Sequence, residues 1–88
     1  MNKYEQQPDE IIDLHGLSVS ESLRVLVETI ECEELNHVRV IVGKGTHSPH
    51  GPVLRDAVKH FFVARNIRFS QSKLSDGGEG ALEVFFDS

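Results

Sequence analysis

The chain has 88 residues, 39% of them hydrophobic and 26% charged, which fits one small globular domain with a modest core. Nothing in it approaches the roughly 18 apolar residues of a membrane span, the polar first ten residues lack the apolar segment of a secretory signal, and a single cysteine, Cys32, excludes an internal disulfide. The formal net charge of −5 is unfavourable, taken as a whole, for a polyanionic partner. The charge is unevenly placed, however. Residues 1–35 hold nine acids and two bases, whereas residues 36–75 hold seven bases and one acid, together with four of the five histidines. A phosphate responds to the local field, so this basic block keeps a nucleic-acid partner in view. A cytoplasmic monomer without a membrane partner is expected.

In chain order, residues 1–10 read as a tail and residues 11–88 as the domain. Residues 11–14 predict a short strand, and His15-Gly16-Leu17 a turn. Ser18 and Glu21 have the spacing of a capping box, so a helix starts there. Val19, Leu23, Leu26, Val27 and Ile30 follow a helical period and predict its inward face. Acidic Glu21, Glu28 and Glu31 lie opposite, and the helix should fade near residues 34–36. The β-branched run 38–42 predicts a second strand. A loop with three glycines follows, and Pro52 suits the first position of a second helix. That helix should turn Leu54, Ala57, Val58 and Phe61 inward and end at Asn66. Residues 67–70 predict a third strand, residues 75–80 a glycine-rich turn and residues 82–86 a fourth strand.

This order, β-α-β-α-β-β, implies an α/β fold of the two-layer α+β sandwich type. Two β-α-β units give three strands running the same way, and the fourth, reached by a short loop, should run antiparallel. Both helices should cover one face of a mixed four-stranded sheet. The other face then needs polar side chains, and Arg39 and Arg68 are suitably placed to meet a substrate there. The phenylalanines fall mostly on core positions, so no aromatic set for base stacking is evident.

Strands running the same way end on one edge. The loops after strands one and two, and the turn after strand three, should therefore meet where open α/β sheets bind ligands. That edge would gather Asp13, His15, the run Gly43-Lys44-Gly45-Thr46-His47-Ser48, and Gly77, Gly78 and Gly80. Glycines permit close backbone approach, Lys44 supplies a cation, His47 and Ser48 supply donors, and the loop leads into a helix N-terminus. The order Gly-Lys-Gly is not that of a Walker A loop, so a single phosphodiester suits the site better than a nucleoside triphosphate. Asp13 serves equally well as a pin for the turn, and His15 as a turn residue. No local spacing supports a metal site.

Residues 12–17, Ile-Asp-Leu-His-Gly-Leu, resemble the Leu-Asp-Leu-His-Gly signature of Smr domains, the small MutS-related module. Residues 42–48 resemble its second signature, Thr-Gly-x-Gly-x-His-Ser. Gly51-Pro52-x-Leu54 and Gly77-Gly78-x-Gly80-Ala81 also fit the family pattern. Two departures stand out: Ile12 for leucine, and Val42 for a small or polar residue, which would remove a hydroxyl from the site. The resemblance implies a fold like the C-terminal domain of bacterial translation initiation factor three. It also implies nucleic-acid binding and, in several members, endonuclease activity on DNA or on RNA at stalled ribosomes. On that basis Asp13 and His15 are the residues implied for cleavage, with His47 beside them. Gly43, Lys44, Gly45, Thr46 and Ser48 would bind the substrate phosphate, with Arg39 and Arg68 contributing. The expected partner is therefore a DNA or RNA backbone, with the ribosome open. No cofactor is required for RNA. For DNA, where water must be the nucleophile, a divalent metal becomes attractive. The alternatives are a non-catalytic nucleic-acid or ribosome-binding module and, more weakly, a protein-interaction domain using the acidic helix.

Overall fold

The computed structural model describes residues 7–32, 34–43, 51–73 and 78–86; the side chains of residues 51, 52 and 79 are outside that description. The elements run β1 (Glu10–Asp13), α1 (Val19–Ile30), β2 (His37–Ile41), α2 (Gly51–Ala64), β3 (Arg68–Gln71), a short 3-10 turn (Gly78–Gly80) and β4 (Ala81–Phe85). The sheet order is β1-β2-β4-β3. β1 and β2 are parallel, and β4 is antiparallel to both β2 and β3. Strands β1, β2 and β3 thus share one direction, as expected, with the reversed β4 inserted between β2 and β3. The result is the predicted mixed sheet. No helix among the described residues is long and apolar enough to cross a membrane.

The expected strands are each displaced by one residue. Leu14 and Val42 follow β1 and β2 rather than belonging to them, yet both are buried in the core. Their apolarity reports burial, not membership of the ladder. Register then sorts the side chains. Ile12, Val40 and Leu82 align in one row, Val38, Val84 and Phe69 in the next, and these face the helices. Leu26 of α1 and Leu54, Val58, Phe61 and Phe62 of α2 complete the core.

Ser18 caps α1 as predicted. Its Oγ accepts the Glu21 N–H at 3.2 Å, and Glu21 Oε1 accepts the Ser18 N–H at 3.2 Å. The helix ends at Ile30, earlier than expected, and Cys32 lies beyond it. Glu31 and Glu34 are acids at the negative end of the helix dipole, and no apolar position continues the stripe. Of the expected inward face, Leu26 is buried and Val19, Leu23 and Ile30 pack against the core, while Val27 is exposed; Ser22 and Thr29 are buried in addition. Thr29 satisfies itself on the Val25 carbonyl at 2.8 Å. Ser22 Oγ, fully buried, has no partner among the described residues. Ser22→Ala should therefore stabilise the domain by about 1 kcal/mol, since it removes an unmade hydrogen bond and improves helix propensity. A higher urea midpoint with an unchanged slope is the expected readout; a lower midpoint would contradict it.

Helix α2 runs to Ala64 and Asn66 terminates it, as expected, by an explicit mechanism. Asn66 adopts φ 58°. Its N–H reaches the Val63 carbonyl at 3.1 Å, and the Ile67 N–H reaches the Phe62 carbonyl at 2.9 Å. These are the two bonds of a Schellman cap, with asparagine in the left-handed position usually held by glycine. The cap turns the chain from α2 into β3.

Candidate active site

Three chain segments meet where β1 and β2 end and β4 begins. The Leu14 N–H donates to the Ile41 carbonyl at 2.7 Å, fastening the end of β1 to β2. The Gly80 carbonyl accepts from Val42 at 2.8 Å and from Gly43 at 3.0 Å, which fastens the following loop to the 3-10 turn. Gly43 has φ +81°, and a Cβ placed on it would lie 3.6 Å from the Cβ of His15. The first loop is thus seated on the start of the second. Gly16, at φ +84°, provides the turn that returns the chain toward α1.

Side chains alternate through this turn. Leu14 is wholly buried and anchors it, while Asp13 and His15 on either side are exposed. Asp13 Oδ1 accepts the His15 N–H at 3.0 Å and lies 2.5 Å from His15 Nδ1. One carboxylate oxygen therefore pins the turn and also orients the imidazole. The hydrogen bond from the His15 ring, with that from its backbone N–H, holds the Asp13 carboxyl below its ordinary range. With Asp13 ionised, Nδ1 carries the proton in this pair, and Nε2, which has no partner among the described residues, becomes the basic nitrogen. A carboxylate-oriented imidazole with its far nitrogen available is suited to moving a proton. The side chains are 69% exposed for His15 and 49% for Asp13, so the pair is open to a large substrate.

The sheet face away from the helices carries a second polar group. Register aligns Ile11, Arg39, Glu83 and Ser70 in one row, and His37, Phe85 and Arg68 in another. Glu83 accepts from Arg39 Nε at 2.7 Å, from His37 Nε2 at 2.5 Å and from the Ser72 hydroxyl. Burial pushes the Glu83 carboxyl up, but these bonds outweigh it and hold the group below its usual range. Phe85 stacks on His37, with ring centroids 4.8 Å apart at 22°, and the Arg68 guanidinium sits 5.3 Å from the Phe85 ring. Arg39 and Arg68 are therefore on the open face, as the alternation predicted.

Asp13, His15, Gly43 and the Gly78–Gly80 turn are brought to one edge. Lys44, Gly45, Thr46, His47, Ser48 and Gly77 lie outside the described residues. Val42 is buried at 3% exposure on the core side, so a hydroxyl in its place would be directed into the core rather than supplied to the edge. Among the described residues no group of three or more His, Cys, Asp or Glu converges to hold a metal ion. The phenylalanines lie mostly in or against the core, as expected, with Phe85 on the opposite face, and the Glu83 cluster was not anticipated. The signal was present: Glu83 and Phe85 are two apart in a strand and so share its outer face.

The family model of the Smr domain matches residues 12–87. An Smr domain-containing protein of Schizosaccharomyces pombe is 36% identical over 85 residues, covering 92% of this chain and 39% of that protein. The endonuclease NBR9 of Saccharomyces cerevisiae is 38% identical over 76 residues, covering 81% of this chain and 30% of that protein. The chain thus spans well under half the length of these two relatives. The Smr domain of Thermus thermophilus MutS2 superposes with a TM-score of 0.77 at 26% identity, covering 90% of this chain and 99% of that one.

Proposed function

The chain belongs to the Smr domain family, and we propose that it binds nucleic acid at the edge where β1 and β2 end and cleaves a phosphodiester bond there. The observation that carries this reading is the Asp13–His15 pair, a carboxylate 2.5 Å from the imidazole Nδ1, exposed and seated against Gly43. A similar protein, NBR9, is an endonuclease by name, which supports the same chemistry.

In this reading His15 moves the proton and Asp13 orients it. On RNA, His15 Nε2 takes the proton of the 2′-hydroxyl as that oxygen attacks phosphorus, or returns one to the departing 5′-oxygen. His47 takes the complementary part. Lys44 and the backbone of Gly43 and Gly45, with Thr46 and Ser48, hold the phosphate and stabilise the charge that grows on it. On DNA the nucleophile is water, and a bound divalent ion would help to activate it. Arg39 and Arg68 meet the strand on the open face.

The test is to incubate pure protein with supercoiled plasmid and with end-labelled RNA, with and without EDTA, and to measure affinity across a salt series. Cleavage of either substrate, together with affinity that falls steeply with salt, is expected. Loss of cleavage in EDTA would assign an ion to the mechanism. Salt-dependent binding without cleavage would leave a binding module. Absence of binding at low salt would overturn the nucleic-acid reading.

A further inference from the structure

Register places Asp13 in one row with Ile41 and Ala81, on the same side of the sheet as Arg39, Glu83, Phe85 and Arg68. The Asp13–His15 edge therefore adjoins the sheet face away from the helices, where Ala81 is buried, the His37, Arg39 and Glu83 side chains are only 12–13% exposed, and Arg68 is exposed. Successive rows on one face are about 6.7 Å apart, so the Arg39 row lies one step from Asp13 and the His37–Phe85–Arg68 row two steps, roughly 13 Å. A polymer held at the edge and running along β2 and β4 would cross both rows.

The residues in those rows suit bases better than phosphates alone. His37 and Phe85 occupy the two central strands and form a stacked pair flanked by Arg68. Arg39 and His37 are fixed in place by Glu83, so their geometry is set before any ligand arrives. Ile11, aligned with Arg39, is 54% exposed. Aromatic and guanidinium groups on the central strands of an open sheet are how proteins take unstacked bases. A duplex presents its phosphates first, and here the acids Glu83 and Asp13 stand among the cations. Neither helix is available to enter a groove from this side, because the core holds both against the opposite face. We infer that the open face of the sheet is a track for single-stranded nucleotides flanking the scissile phosphate, with Phe85 and Arg68 receiving a base and His37 backing the Phe85 ring. This rests on the edge being the nuclease site and adds to it the substrate class, single-stranded rather than duplex.

The experiment titrates isotopically labelled protein with a short oligothymidylate and, separately, with a short mixed-sequence duplex, following backbone amides. The single strand should shift Arg39, Ser70 and Phe85 as well as His15 and Gly43, and should bind more tightly than the duplex. Phe85→Leu keeps apolar volume but removes the ring; it should weaken single-strand binding by roughly 5- to 140-fold, the size of one base–aromatic stack, and change duplex binding less than about twofold. Arg68→Gln, at an exposed position, should weaken single-strand binding more than duplex binding. Shifts confined to His15 and Gly43, or affinities indifferent to both substitutions, would overturn the track and leave the edge site standing. No shift with either probe would remove both.

Discussion

Replacing His15 by alanine is expected to lower the cleavage rate by about 10²–10⁴-fold, the usual contribution of a group that transfers a proton in the transition state. The fold should be unaffected. The His15 side chain is 69% exposed, and among the described residues its ring hydrogen-bonds to Asp13 alone. The bond from the backbone N–H to Asp13 Oδ1, which shapes the turn, survives the substitution. Affinity should change little, since the phosphate loop and the open face remain. Asp13→Asn separates orientation from chemistry. Asparagine still offers an oxygen to the backbone N–H but no charge to the imidazole, so a merely orienting Asp13 predicts a smaller loss than His15→Ala. Activity that survives His15→Ala yet disappears with Asp13→Asn and with EDTA would instead assign the chemistry to a carboxylate-bound ion. Single-turnover rates with affinity measured in parallel decide among these, because only a transition-state role lowers the rate while binding holds.

For Asp13, His15, Gly43 and the Gly78–Gly80 turn, the edge geometry was legible in the sequence because topology dictates it. Three strands running the same way must end together, and Leu14 between two polar residues announces a buried anchor flanked by exposed side chains. What could not be read was the direct use of Asp13 on both the backbone and the ring of His15. A carboxylate two residues before a histidine fits either a turn pin or a catalytic partner, and the structure gives it both bonds from one oxygen. The Glu83 cluster was hidden for a different reason. Its members Glu83, His37, Arg39 and Ser72 come from three separate stretches of chain, and only the insertion of β4 between β2 and β3 puts them side by side. Strand order is set by tertiary packing, not by local pattern. The same insertion makes Phe85 a neighbour of His37 on the open face.

The second helix shows where periodicity under-reads a core. Its predicted inward face was Leu54, Ala57, Val58 and Phe61; Leu54, Val58 and Phe61 are buried, but so is Phe62, which is fully enclosed. A single stripe suffices for a helix lying on one surface. α2 lies on the sheet and beside α1, and β3 folds back along it through the Schellman cap, so its buried arc is wider. Phe62 fills that extra arc. Its ring meets Phe61 edge-on at 5.6 Å and Phe69 of β3 at 5.7 Å, and its carbonyl receives the capping N–H of Ile67. Phe62→Ala removes the ring from both aromatic contacts and leaves a cavity where α2, β3 and the sheet meet. Such a substitution costs about 3–5 kcal/mol, against a total of roughly 4–13 kcal/mol for a domain of this length at 0.05–0.15 kcal/mol per residue. The variant should therefore be partly unfolded near 37 °C, with a urea midpoint far below that of the parent and a similar slope. Phe61→Ala offers a comparison: its ring is buried to 7% exposure but also lies under the Arg65 guanidinium at 4.0 Å, nearer the surface, so the loss should be smaller. A Phe62→Ala loss below about 1 kcal/mol would mean that the helix does not rest on this ring. The cap would then be left to position β3, and with it Arg68 on the open face.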